Sequence, residues 1–216
     1  MEQKKNPIKV LFQKPEMGTI LPLAILMIAV AIVNTNFFNI SNILDILRTA
    51  SFSFIVAVPI TFLMSAGGMD LSIGAITSFG GIICAFCLKA GMPLPISIII
   101  ALLAGSTVGF LNGIIIVRFA LPAFIATLGM QYVVNGIISV STEALAISGF
   151  SDSFKAISQM RVGGLVPMPI IYAIAIGVVG HIVLSKTKFG RSVLAIGGNR
   201  ETAYLAGINV TVKQIL

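Results

Sequence analysis

Residues 90–117 read AGMPLPISIIIALLAGSTVGFLNGIIIV and contain no Asp, Glu, Lys or Arg. A helix crosses roughly 30 Å of hydrocarbon with about 20 residues at about 1.5 Å each, so this run is long enough to span a bilayer. Further charge-free stretches surround it at residues 17–44, 49–69, 71–88, 119–142 and 162–185. Together they predict spans near 19–38, 50–67, 71–88, 95–117, 121–141 and 165–185. Membrane β-strands would read as alternating runs of about ten residues, which the continuous apolar runs exclude. The expected fold class is an all-α membrane protein, a polytopic bundle of about six transmembrane helices.

Composition points the same way. Of 216 residues, 57% are hydrophobic and 10% charged, against roughly 25% charged in ordinary globular proteins. Mean hydropathy is +1.05. A soluble sphere of this size could not hide so much apolar surface, so the solvent is membrane lipid. The net charge of +7 comes from scattered basic residues, with no Trp and three Tyr for stacking on bases. That pattern excludes nucleic acid as a partner.

Basic residues orient the spans. With six crossings, Lys4, Lys5, Lys9, Lys14, Arg118, Lys186, Lys188, Arg191, Arg200 and Lys213 share one face, against Arg48, Lys89, Lys155 and Arg161 on the other. The richer face is the cytoplasmic one, so the N-terminus is cytoplasmic. The implied organisation is a cytoplasmic tail at 1–18, a transmembrane domain at 19–185, a cytoplasmic segment at 186–212 and the start of a further span at 213–216. Ala29-Val30-Ala31 resembles a signal-peptidase site, but the spans that follow favour an uncleaved first helix.

Few side chains offer chemistry. Cys84 and Cys87 lie within a span, where they read as small apolar residues, since two cysteines do not complete a tetrahedral metal site. His181, the single histidine, has no second histidine or carboxylate near it in sequence. No catalytic residues, no metal ligands and no enzyme activity are expected. Gly105, Gly109 and Gly113 share one helix face and predict close helix packing. Asn112 and Asn135 could bond to a neighbouring helix or line a polar path.

Gly67-Gly68-Met69-Asp70-Leu71-Ser72 is too short and apolar for an aqueous loop. The glycines supply a turn, and Asp70 or Ser72 can cap the following helix. Asp70 then sits at the membrane boundary, where a lone carboxylate is expensive. Either the turn is structural or it is a broken helix beside a translocation path. Pro59 predicts a kink in the preceding span, and Pro122 suits the first position of the fifth. Near the end, Asn199 is a good N-cap, Glu201 suits the first turn and Gly207 can take the left-handed position that ends a helix. The product is a helix of about two turns, marginal alone. It is held by the membrane domain, docked on a partner, or simply part of a basic loop.

Several motifs in order carry a resemblance: Gly67 through Gly74, Leu111-Asn112-Gly113, Leu121 through Gly129, Phe189-Gly190-Arg191, Ala195 through Asn199, and Ala203 through Asn209. The chain resembles the permease subunit of bacterial ABC importers of the ribose/xylose/galactose type. The resemblance implies an inner-membrane conduit for a monosaccharide. Its implied partners are a second permease subunit (homo- or heterodimer), a periplasmic substrate-binding protein and a cytoplasmic ATP-binding subunit. It implies that Phe189, Gly190, Arg191, Gly197, Gly198, Asn199, Glu201, Ala203 and Gly207 couple to the ATPase, while Gly67, Gly68, Asp70, Ser72 and Asn112 serve the path or its turn. No cofactor is expected on this chain: ATP belongs to the partner, and no GxxxxGK[ST] phosphate loop is present. Such permeases have about ten spans, so a truncated member is expected. The outer loop at 142–164, with Glu143, Asp152 and Lys155, matches no family pattern. The alternative is an autonomous secondary transporter or channel, for which Asp70 is the one intramembrane ionisable candidate.

Overall fold

The computed structural model describes Lys14 and residues 16–215. Lys4, Lys5 and Lys9 of the expected cytoplasmic tail, and Leu216, lie outside the described residues. Two compact units divide the chain, residues 1–49 and 50–216.

In the first unit, helix α1 (Met17–Val33) stops before the expected residue 38. Two short polar side chains end it and start its successor. Asn34 Oδ1 accepts from the Asn36 amide at 3.0 Å, and Asn39 Oδ1 accepts from the Ser41 amide at 3.1 Å. These local bonds compete with helix and favour turns. Helix α2 (Ile40–Ser65) therefore begins well before the expected residue 50 and takes in Asp45 and Arg48. Long charged side chains near a helix end can reach the interface, so charges there did not mark a boundary.

The second unit holds the rest of α2 and helices α3 (Ile73–Lys89), α4 (Leu94–Arg118), α5 (Ala123–Thr142), α6 (Asp152–Gln159) and α7 (Met168–Lys186). A two-stranded antiparallel hairpin, β1 (Arg161–Val162) and β2 (Val166–Pro167), precedes α7. Three short helices follow: α8 (Lys188–Gly198), α9 (Arg200–Leu205) and α10 (Val210–Ile215). The chain is an all-α polytopic membrane protein. Helices α2, α4, α5 and α7 are long and apolar enough to cross a membrane, while α1 and α3 are apolar but 17 residues each.

Small residues bring the helices together, as expected where lipid supplies no hydrophobic drive between them. Ala75, Val108 and Val134 form the buried centre of α3, α4 and α5. Larger apolar side chains instead face outward, Leu102 and Phe110 among them. Helix α7 meets α2 through Gly177 and Gly180, where an added Cβ would stand 2.8 Å from Phe54 and 2.5 Å from Val58. The predicted glycine stripe on α4 is uneven: a Cβ on Gly105 would reach Ile76 at 3.5 Å and one on Gly113 the Ile215 backbone at 2.8 Å, whereas Gly109 faces open space. Asn135 is exposed. Pro122 is the N-cap of α5, one position before its expected place.

The loop at 142–164, unreadable in sequence, contains α6 and the first strand of the hairpin. Glu143 ends α5 in the left-handed conformation at φ 53°. Lys89, the last residue of α3, reaches this loop: its Nζ donates to the Gly149 carbonyl at 3.4 Å and lies 5.6 Å above the Phe150 ring. The exposed Lys155–Asp152 pair at 3.0 Å contributes little. At the opposite end, Arg118 shares a groove with Thr211 and Ile215.

Two glycine substitutions separate packing from propensity. Gly180→Leu should lower stability by about 1–3 kcal/mol through overpacking. Gly136→Ala, in open space on α5, should be neutral or stabilising by up to about 1 kcal/mol. Thermal unfolding in detergent checks both.

Candidate functional site

Helix α2 ends in a Schellman turn. Gly67 takes φ +76°, its amide donates to the Met64 carbonyl at 3.0 Å, and the Gly68 amide donates to the Leu63 carbonyl at 2.9 Å. Only glycine adopts that conformation without strain. The chain must then reverse into α3 with no strand or helix to satisfy its backbone, and side chains do so instead.

Asp70 Oδ1 accepts from the Ser72 amide at 2.7 Å and from the Ser72 hydroxyl at 2.6 Å. Asn112 Nδ2, on α4, donates to Ser72 Oγ at 2.8 Å. The Leu71 amide donates to Thr127 Oγ1, on α5, at 3.1 Å, and that hydroxyl donates back to the Ala123 carbonyl at 2.8 Å. Ser72, Thr127 and Asn112 are 0%, 1% and 3% exposed, so the network is sealed. Asp70, half-buried, is committed to the turn. It is a partner of Ser72 before α3 begins, while Ser72 itself makes no side-chain cap bond to α3.

One acceptor is left over. Asn112 Oδ1 is buried with no hydrogen-bond partner. Ser72 has one hydroxyl proton and gives it to Asp70, so Asn112 can only donate here. An unmet buried acceptor costs about 1–3 kcal/mol.

The C-terminal segment differs from the single two-turn helix expected. The apolar stretch around Val193 is helix α8, which runs through Gly197 to Gly198, and a third helix starts at Val210, ahead of the residue 213 expected for a further span. The local signals for α9 act as read: Asn199 Oδ1 accepts from the Thr202 amide at 2.9 Å, Glu201 lies in the first turn, and Gly207 ends the helix at φ +81°.

Several of the expected coupling residues face the chain itself. A Cβ on Gly190 would strike the Val183 and Leu184 carbonyls, and one on Gly197 the Ser65 carbonyl at the end of α2. Thr187 Oγ1, the cap of α8, accepts from the Gly190 amide at 3.1 Å. Phe189 stacks on Phe62 at 6.4 Å and carries Lys213 Nζ 4.9 Å above its ring. Ala203 is buried with Ile196 and Val210. Arg191, Gly198, Asn199, Glu201 and Gly207 remain exposed. Beside them stand Tyr204 and Leu205, 70% and 78% exposed, which the residue-by-residue reading missed. The signal was available: with Ala203 facing inward, the next two positions of the same short helix turn outward. Thr127 was likewise missed, although it sits in the first turns of a helix opened by proline.

Residues 42–216 match the family model described as branched-chain amino acid transport system / permease component. The chain belongs to this permease family. It is 35% identical over 198 residues to the ribose import permease RbsC of Haemophilus influenzae, covering 90% of this chain and 61% of that protein. It is 34% identical to RbsC of Bacillus subtilis, covering 100% and 66%. It is 32% identical to the galactose/methyl galactoside import permease MglC of Haemophilus influenzae, covering 81% and 57%. The chain thus spans about two thirds or less of the length of these relatives. No solved structure matches it.

The permease-family match encloses the whole network. Three separated motifs, around Asp70, Asn112 and Thr127, meet at one point between α3, α4 and α5. Among the described residues no group of three or more His, Cys, Asp or Glu could hold a metal ion.

Ser72→Ala should destabilise the permease by about 1–3 kcal/mol, because it strips Asp70 of one donor and Asn112 of its acceptor. Asp70→Asn, which keeps one acceptor oxygen, should cost less. Detergent unfolding midpoints order the two.

Proposed function

We propose that this chain forms the membrane-spanning part of an ATP-driven importer of monosaccharides. The observation that carries the reading is the C-terminal segment. Gly190, Gly197, Val193 and Ala203 fix it to the helical unit, while α9 offers Tyr204 and Leu205 outward. A helix this short needs such support, and two bare apolar side chains on it suit a partner protein. That partner is a cytoplasmic ATP-binding subunit, which holds the ATP; the chain itself carries no catalytic role. A second permease subunit and a periplasmic binding protein complete the assembly.

The family description names branched-chain amino acids, whereas the relatives above are named for ribose and galactose. Full-chain identity to sugar permeases favours a monosaccharide as substrate. The basic-residue count favours a bacterial inner-membrane location with the N-terminus and residues 186–212 cytoplasmic. Residues 19–185 then form the transmembrane domain. Gly67, Gly68, Asp70, Ser72 and Asn112 serve as the structural turn beside the path. Coupling rests on Arg191, Gly198, Asn199, Glu201 and Gly207 with Tyr204 and Leu205, and Phe189, Gly190, Gly197 and Ala203 support them from within. Asp70 is engaged by Ser72, which speaks against a free carboxylate coupling proton or ion movement in an autonomous transporter.

Vesicles carrying the full-length permease, its ATPase and its binding protein should take up a labelled pentose or hexose only with ATP. Uptake that needs a proton gradient and no ATP would overturn the proposal. Leu205→Asp should reduce co-purification of the ATPase at least about tenfold, the loss of about 1.4 kcal/mol, and leave the unfolding temperature unchanged. Gly197→Ala should lower both.

A further inference from the structure

Asn112 and Gly113 are adjacent on α4 and face different elements. Asn112 holds Ser72 on the reversal between α2 and α3. Gly113 lies so close to α10 that an added Cβ would stand 2.8 Å from Ile215 Cα and 3.1 Å from the Ile215 carbonyl oxygen. One residue step thus joins the C-terminal segment to the polar network. The same segment also touches the other end of the reversal, since Gly197 on α8 abuts the Ser65 carbonyl and Ala66.

We propose that Asn112 and Gly113 are positioning residues through which the segment 188–215 sets the Asp70–Ser72 turn. This rests on the reading of that segment as the one that couples to a partner. Two features suit the pair to transmit a shift. Beside the tight contact at Gly113, α10 leaves an open groove against α4 lined by Ile114, Val117, Arg118, Thr211 and Ile215, while Val210 seats the other end of α10 against Ile196 and Ala203. Asn112 makes one bond with its amide group and leaves Oδ1 buried and empty. Losing Nδ2–Ser72 therefore releases an amide that was only half satisfied, and a rotated α4 can satisfy it differently.

Hydrogen exchange of the full-length permease in nanodiscs, without any partner, tests the internal link. Gly113→Ala should speed exchange across Leu71–Ile76 at least about tenfold, and Gly109→Ala, in open space, should leave it unchanged. Val210→Ala, which loosens the buried seat of α10 without adding an atom, should move the same peptide in the same direction even if Gly113→Ala does not fold. Asn112→Leu should speed exchange there too, and adding Val210→Ala to it should bring no further increase, because the link is already cut. The inference is overturned if Val210→Ala disturbs only 188–215, or if the two substitutions act additively on Leu71–Ile76. Failure of the ATPase to bind the wild-type permease would instead sink the coupling assignment and leave this internal link standing or falling on the exchange data.

Discussion

The Asp70 carboxylate on the amide and hydroxyl of Ser72 is the contact on which the second unit depends. A chain that reverses between apolar helices must satisfy its own backbone, because lipid offers no hydrogen bonds. Gly67 ends one helix, Asp70 and Ser72 begin the next, and Thr127 takes the amide left between them. The reversal is thus built from neighbouring helices, and the positions of α3, α4 and α5 are mutually fixed. A carboxylate there is affordable because it is engaged twice over.

Glycine plays a second part, in docking. The segment after α7 turns at Thr187, packs against the last turn of α7 at Gly190 and lies against the end of α2 at Gly197. Helices of six to eleven residues have little stability of their own. Backbone contact at these glycines and burial of Val193, Ile196, Ala203 and Val210 hold them. What such docking leaves outside, Tyr204 and Leu205 above all, is then rigidly presented. The segment has an inner face packed on its own chain and an outer face left exposed.

Much of this was legible in sequence. Charge-free length marked all six apolar helices, because the cost of burying charge in hydrocarbon leaves its mark on composition. The caps at Asn199 and Gly207 were readable because they act within a few residues. Asp45 and Arg48 misled, because they lie inside α2, near enough to its start for a charged group to reach the interface. The partition of Gly190 and Gly197 from Glu201 and Leu205 was hidden for a different reason. A motif records which residues matter together, whereas inner and outer faces depend on contacts with Ser65 and Leu184, far away or across a turn. Asn112 shows the same limit: its type suggested a bond between helices, but its partner Ser72 stands forty positions earlier.

The central claim is that Ser72 and Asn112, from distant motifs, are joined in one sealed network. A double-mutant cycle of Ser72→Ala and Asn112→Leu in the full-length permease measures it directly. The account predicts non-additivity of at least about 1 kcal/mol in unfolding free energy, with Asn112→Leu costing little once Ser72 is gone. Strict additivity, within about 0.3 kcal/mol, would contradict it.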